Sequence, residues 1–289
     1  MRSLFQRRYP IALGAVLGAA LVGAVPATTS AQTKLEARYT AALAGIPLGS
    51  GTWVIDFAAD QYTAVASGHT TGLVRLISDG SGSSGSKGTI QGANVVSVAY
   101  MQDTVTDKKT DQVRMALHNG VVKDVTAIPP LEASPDRVPV TDAHRKGVVD
   151  PMSAMLIPVA GKGDVLTPDA CKRRLAIFDG RQRADIELVY KRMDQVHADK
   201  GYTGPVVVCT ALYRPIAGHR PERSAIKYLV AQRDMELWLA PINGTRVLIP
   251  FRFSVPTPFG LGTLQATYFV ANELPTQALR QSPASAKTQ

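Results

Sequence analysis

The feature that binds this chain most tightly is a recurring two-residue alternation of apolar and polar side chains, broken at short intervals by Gly, Pro, Asn and Asp. Val54, Asp56 and Ala58 alternate with Trp53, Ile55 and Phe57; Ala184, Ile186, Leu188 and Tyr190 alternate with Arg183, Asp185 and Glu187. A strand sends successive side chains to opposite faces, so each run marks a half-buried strand. Asn119-Gly120, Asp179-Gly180 and Asn243-Gly244 supply the positive φ of tight hairpins. They join 112–118 to 121–126, 175–178 to 183–190, and 237–242 to 246–254. Residues 52–57, 62–68, 89–90, 95–101, 206–213 and 262–270 read as further strands. The 24 Gly and 19 Pro interrupt the chain too often for a bundle of long helices. The expectation is an all-β, mainly antiparallel fold.

One segment departs from the pattern. Asp150-Pro151 combines an N-cap residue with proline at the first helical position. Met152, Met155 and Leu156 then fall at helical spacing, which predicts a short helix over 151–157, ended by Pro158 and facing the sheet. Four prolines in 128–139 make the preceding stretch an extended connector. Strand patterns continue on both sides without a change of composition, so 32–274 is expected to form a single β-rich domain. The polar tail 275–289 is expected to be disordered.

The first 31 residues read as an address. Arg2, Arg7 and Arg8 precede an apolar run over 11–25, and small residues lead to Thr29-Ser30-Ala31. That is the pattern of a cleaved signal peptide. The run is shorter than the ~20 residues of a membrane span, and no cysteine follows it to carry a lipid. A mature chain beginning near Gln32, without a transmembrane segment and located in the periplasm, is the expectation. In that compartment Cys171 and Cys209, the two cysteines of the chain, are expected to form a disulfide.

The formal net charge is +9, and it falls to +6 once the three arginines of 1–31 are removed. Between Lys172 and Lys227 there are twelve Lys or Arg against six Asp or Glu, which accounts for the whole remaining excess. A basic field attracts anions such as lipid headgroups, lipopolysaccharide phosphates or acidic glycans. Arg173, Arg181, Arg214, His219 and Arg220 are the candidate contacts, the last two on a loop bracketed by Pro215 and Pro221. No nucleic-acid motif accompanies the charge.

Catalytic patterns do not assemble. Ser84-Gly85-Ser86-Lys87 matches the Ser-x-x-Lys motif of penicillin-recognising enzymes. It lies in a Gly/Ser stretch that will not hold the helix this motif requires, and its companion motifs are missing. There is no Gly-x-Ser-x-Gly elbow. The histidines (His69, His118, His144, His197, His219) show no metal-ligand spacing, and Gly161-Lys162-Gly163 is not a phosphate loop. The pattern therefore points to no catalytic residue, no metal and no cofactor.

Several stretches resemble a periplasmic family, domain of unknown function 3108. They are Arg38-Tyr39, Gly45-Ile46-Pro47-Leu48-Gly49-Ser50-Gly51, His69-Thr70-Thr71-Gly72-Leu73 and Ser78-Asp79-Gly80. Pro135-Asp136-Arg137-Val138-Pro139, Val149-Asp150-Pro151-Met152-Ser153-Ala154 and Cys171 with Phe178-Asp179-Gly180-Arg181 follow. Val208-Cys209 and Pro215-Ile216-Ala217-Gly218-His219-Arg220-Pro221 complete the set, in order, from about Ala37 to Phe269. The family is similar in outline to envelope-integrity proteins. That resemblance implies a spiral β-roll, or open barrel-like sheet, wrapped around one short central helix, and it supplies no catalytic residues.

The sequence thus reads as an exported cell-envelope binding or structural module and not an enzyme, engaging a lipid, lipopolysaccharide or other anionic or lipidic component. A roll of this kind can present a concave apolar groove. The competing readings are a hydrolase or transferase acting on envelope polymers, and an assembly factor that pairs with client strands.

Overall fold

The computed structural model describes residues 32–71 and 79–274. The expectations for 1–31, 275–289, Gly72-Leu73 and Ser78 fall outside these residues. The first half contains β1 (Gln32–Leu43), β2 (Ile46–Ala58), β3 (Gln61–Thr70), β4 (Gly80–Gln91), β5 (Asn94–Thr106), β6 (Thr110–His118) and β7 (Val121–Ile128). After the connector come β8 (Ile157–Pro158), β9 (Arg173–Phe178), β10 (Arg183–His197), β11 (Lys200–Gly201) and β12 (Thr203–Ala217). The helix α1 (Ser224–Ala231) precedes β13 (Glu236–Pro241), β14 (Val247–Thr257) and β15 (Gly260–Leu274).

All of these strands belong to one sheet. Its order is β7-β6-β5-β4-β3-β2-β1-β15-β14-β13-β12-β10-β9, with every neighbouring pair on this path antiparallel. β8 adds to β14, and β11 adds to β15 in parallel. Two meanders therefore meet at β1 and β15, where Gln32 faces Leu274.

The sheet is open, yet its two ends approach each other. The turn between β9 and β10 lies against β6, so closely that a Cβ on Gly180 (φ +95) would sit 2.5 Å from the Val113 side chain. Arg181 of that turn reaches Asp111 at 2.8 Å and the Pro129 carbonyl at 2.9 Å. The whole segment between β7 and β8, hereafter the connector, fills the seam. Val149 exchanges backbone hydrogen bonds with Ala176 and Phe178 of β9, and Val148 donates to the carbonyl of Gly120 before β7. The all-β, antiparallel, barrel-like reading holds.

All three hairpin dipeptides sit at turns between antiparallel partners. The helix expected over 151–157 is corrected to a single 3-10 turn, Ser153–Met155. Asp150 does cap it, accepting from the Met152 and Ser153 amides at 2.9 and 3.0 Å. The next residues extend instead of coiling because Leu248 and Val247 of β14 offer Ile157 and Pro158 strand partners. Met152 and Leu156 are buried as expected, whereas Met155 is half-buried.

Several elements escaped the sequence reading, β1 and β11 among them. The α-helix lies at Ser224–Ala231, with no residue buried. The Gly/Ser stretch is the long strand β4. Its small residues have a local reason: a Cβ on Gly88 would lie 2.7 Å from the Tyr62 hydroxyl. Strand alternation also places Ser84 and Lys87 on opposite faces, which removes the Ser-x-x-Lys geometry.

The interior divides into two apolar clusters. One holds Leu35, Ile55, Phe57, Tyr62, Val113, Phe251 and Phe269. The other surrounds the Cys171–Cys209 disulfide, with Ile157, Leu188, Val207, Leu239 and Leu248.

Candidate functional site

The two clusters do not close completely on each other. Between them lies a cavity of about 700 Å³, and protein interiors rarely leave voids much larger than a water molecule. From the first cluster's side its walls are Tyr39, Trp53, Tyr100, Met152 and Met155. From the second come Leu175, Ile186, Ala211, Tyr213, Leu229, Met235, Leu237, Phe253 and Val255. Strand alternation aims most of these side chains inward; Met152, Met155, Leu229 and Met235 come from outside the strands. Half-buried Leu229 belongs to helix α1, which therefore lies over the cavity. Leu264 is both a wall and 41% exposed, so the cavity reaches the surface beside it.

Two of the wall hydroxyls are committed to the protein. The Tyr39 hydroxyl donates to the Pro250 carbonyl at 2.7 Å, and that of Tyr100 to Gln102 at 2.7 Å. Burial pushes both phenols well above their ordinary range. Trp53 is different. Its indole nitrogen is buried and has no acceptor among the described residues.

A polar knot sits beside the cavity, where the connector crosses the sheet. Asp150, Ser153 and Ser97 are fully buried, with Ser86 and Tyr62 nearly so. The Asp150 carboxylate accepts from the hydroxyls of Ser86 (2.9 Å), Ser97 and Ser153. Ser86 and Ser153 lie 2.9 Å apart, and the Tyr62 hydroxyl lies 2.5 Å from Ser153. Burial, opposed in part by the Ser153 hydrogen bond, pushes the Tyr62 phenol up to about 12. No histidine joins this knot, and every acceptor position of the carboxylate that faces a donor is used. It fastens the connector to β3, β4 and β5, and has no free base to activate a serine.

The basic candidates are dispersed. Arg173 donates to the carbonyls of Ala170 and Pro158 at 3.0 Å each, and burial lowers its pKa. Arg214 pairs with Glu187 at 2.6 Å. These two share an outer hollow of about 780 Å³ with Lys172, Arg174 and Glu187. There Lys172 is paired with Asp169 and Arg174 with the buried Asp185. Arg181 lies across the seam with Asp111. The loop holding His219 and Arg220 is tied to the connector: Gly218 donates to Val138, and Val138 to His219, at 2.8 and 3.0 Å. Arg220 lies 3.3 Å from Asp136. His219 is only 8% exposed, and burial lowers its pKa. The structure brings Arg173 to Arg214, and separately Arg181 to the His219–Arg220 loop; it does not gather the five on one surface.

The cavity walls were only half legible. Alternation put Trp53 and Ile186 on strands with one more apolar side, and helical spacing picked out Met152 and Met155, which read as core packing. Nothing in the spacing says that inward-facing residues from so many strands leave a gap. Among the described residues, no three His, Cys, Asp or Glu side chains converge to hold a metal ion.

The family model described as "Protein of unknown function (DUF3108)" matches residues 38–267. No curated protein matches the chain. Among solved structures, the chain is similar to a beta-barrel-like protein of domain of unknown function DUF1849 from Brucella abortus. The two share 11% identity over 86% of this chain and 99% of that one, with a TM-score of 0.45.

Proposed function

Given that the chain belongs to the DUF3108 family of proteins of unknown function, we propose that it is an exported cell-envelope binding protein whose cavity takes one acyl chain of a lipidic component. The cavity carries this reading. Its volume of about 700 Å³ falls within the roughly 300–1,000 Å³ of small-ligand pockets, which are apolar with a few placed polar groups. Aromatic and methionine walls suit a flexible hydrocarbon, since methionine adapts its shape to what it touches. Trp53 adds a broad aromatic wall to the cavity.

The lipidic reading is favoured over the anionic one by the state of the basic residues. Arg214, Arg181 and Arg220 each face a carboxylate of the protein, so an incoming anion would have to displace it. The periplasmic location rests on the signal-peptide pattern of residues 1–31, and the disulfide is of the kind found in exported chains.

The test is titration with a fluorescent fatty acid, cis-parinaric acid, in solution without membranes. Wild type is expected to bind it stoichiometrically. Ala211→Trp, which places a large ring in the cavity from a position 3% exposed, is expected to abolish binding while leaving the circular dichroism spectrum unchanged. Failure of folded wild type to bind, or undiminished binding by folded Ala211→Trp, would overturn the reading.

A further inference from the structure

We infer that the turns joining β1 to β2 and β14 to β15 form an apolar tip that inserts into a lipid bilayer surface beside the mouth of the cavity. The ligand side of this inference rests on the acyl-chain reading above; the membrane contact does not. Phe259 is 80% exposed, the most exposed large apolar side chain among the described residues, and Ile46 is 59% exposed. Leu261 adds 43% and Leu264 41%. Single exposed apolar residues are ordinary, but a projecting group of them marks an interaction site.

The two turns are fastened to each other. Ala44 donates its N–H to the Leu261 carbonyl at 2.9 Å, and a Cβ on Gly260 (φ +115) would lie 2.8 Å from that of Ala44. Within the second turn, Thr257 Oγ1 donates to the Gly260 carbonyl at 2.7 Å and accepts from the Phe259 amide at 3.2 Å. Phe259 therefore stands on a braced turn, so holding it outward requires little ordering on contact.

Charge identifies the partner. No Asp, Glu, Lys or Arg occurs from Tyr39 to Ile55 or from Phe253 to Asn272, the stretches that build the tip and its stems. A protein partner is ordinarily met with a polar rim. Hydrocarbon, in contrast, penalises any charge brought into it. Leu264 joins the tip to the cavity, being a cavity wall that is also exposed. A lipid chain leaving the bilayer there would pass from hydrocarbon to apolar cavity with little travel through water.

The experiment is flotation with phosphatidylcholine vesicles, comparing wild type with the double variant Ile46→Asp/Phe259→Asp. Both positions are exposed, so the variant is expected to keep its spectrum and melting temperature. Wild type should float at low and high salt alike. The variant should partition at least about tenfold more weakly, given the transfer free energy of a large apolar side chain, while binding cis-parinaric acid in solution as wild type does. Absence of wild-type flotation, equal flotation by the variant, or loss of wild-type flotation at high salt would overturn the tip. So would a concentration-dependent dimer, seen by sedimentation without vesicles, that the variant abolishes. Flotation without fatty-acid binding would leave the tip standing and remove the acyl-chain reading; the converse would do the opposite.

Discussion

Asp150→Ala measures how strongly the buried knot holds the connector to the sheet. The carboxylate accepts from the amides of Met152 and Ser153 and from the hydroxyls of Ser86, Ser97 and Ser153. When it is removed, Ser86, Ser153 and Tyr62 still pair among themselves. The Ser97 hydroxyl and the two amides lose their acceptor. At about 1–1.5 kcal/mol for each of the three stranded buried donors, the loss is about 3–4.5 kcal/mol. Relief of the carboxylate's own desolvation holds it near the lower figure. Asp150→Asn keeps an oxygen for the amides and should lose about 1–2 kcal/mol. Urea unfolding followed by circular dichroism reads both values. The double variant Asp150→Ala/Ser97→Ala has one stranded donor fewer, so its loss should fall short of the sum of the singles by about 1 kcal/mol. A loss under about 1 kcal/mol for Asp150→Ala, or strict additivity in the cycle, would refute the argument that stranded donors set the energy.

Closing the 38-residue loop between Cys171 and Cys209 contributes about 4 kcal/mol on the chain-entropy view. Calorimetry of Cys209→Ser should accordingly show a melting temperature lower by about 10 °C. Burial raises the phenols of Tyr39 and Tyr100 and takes Tyr62 to about 12. The folded state therefore favours their neutral forms: their stability contribution is whole below about 10; that of Tyr62 is lost as pH rises from there through about 12, and those of Tyr39 and Tyr100 continue to be lost above it. His219, lowered by burial, acts at the other limb. Its contribution is present above about 6.5 and is lost as pH falls below that value, so urea unfolding across pH should show a shallower acid limb for His219→Gln. N-terminal sequencing of protein from the soluble periplasmic fraction should begin within a few residues of Gln32; recovery of the full-length chain from the cytoplasm would count against export.

Local chemistry made much of the fold legible. Asn119-Gly120 and Asp179-Gly180 need positive φ at their glycines, 72° and 95° in the structure, and this alone places two hairpins. Asp150 announced its capping role, but not that three hydroxyls from β4, β5 and its own turn would close on its second oxygen. β4 was hidden because its composition answers to neighbours, the Val96 carbonyl and Tyr62 among them, and not to its own propensity. The basic stretch was legible as charge but not as pairing, for a related reason. Charge counting stops at the boundaries chosen, whereas Asp111 and Asp136, which face Arg181 and Arg220, are contributed by segments far upstream. The cavity was least legible, because a void is a property of what fails to meet across the sheet.

The pairing of β1 with β15 has a consequence for how the chain can be completed. Synthesis delivers β1 first and β15 last, so the first strand made waits for nearly the whole chain before its second edge is covered. Closing so long a loop adds only logarithmically to the entropy cost; the delay is one of time and not of free energy. During that interval a bare row of backbone donors and acceptors along β1 invites foreign strands. A chain ending before Gly260 would leave both β1 and β14 without their shared neighbour. Its defect would open at the centre of the sheet, and the rims at β7 and β9 would be left intact.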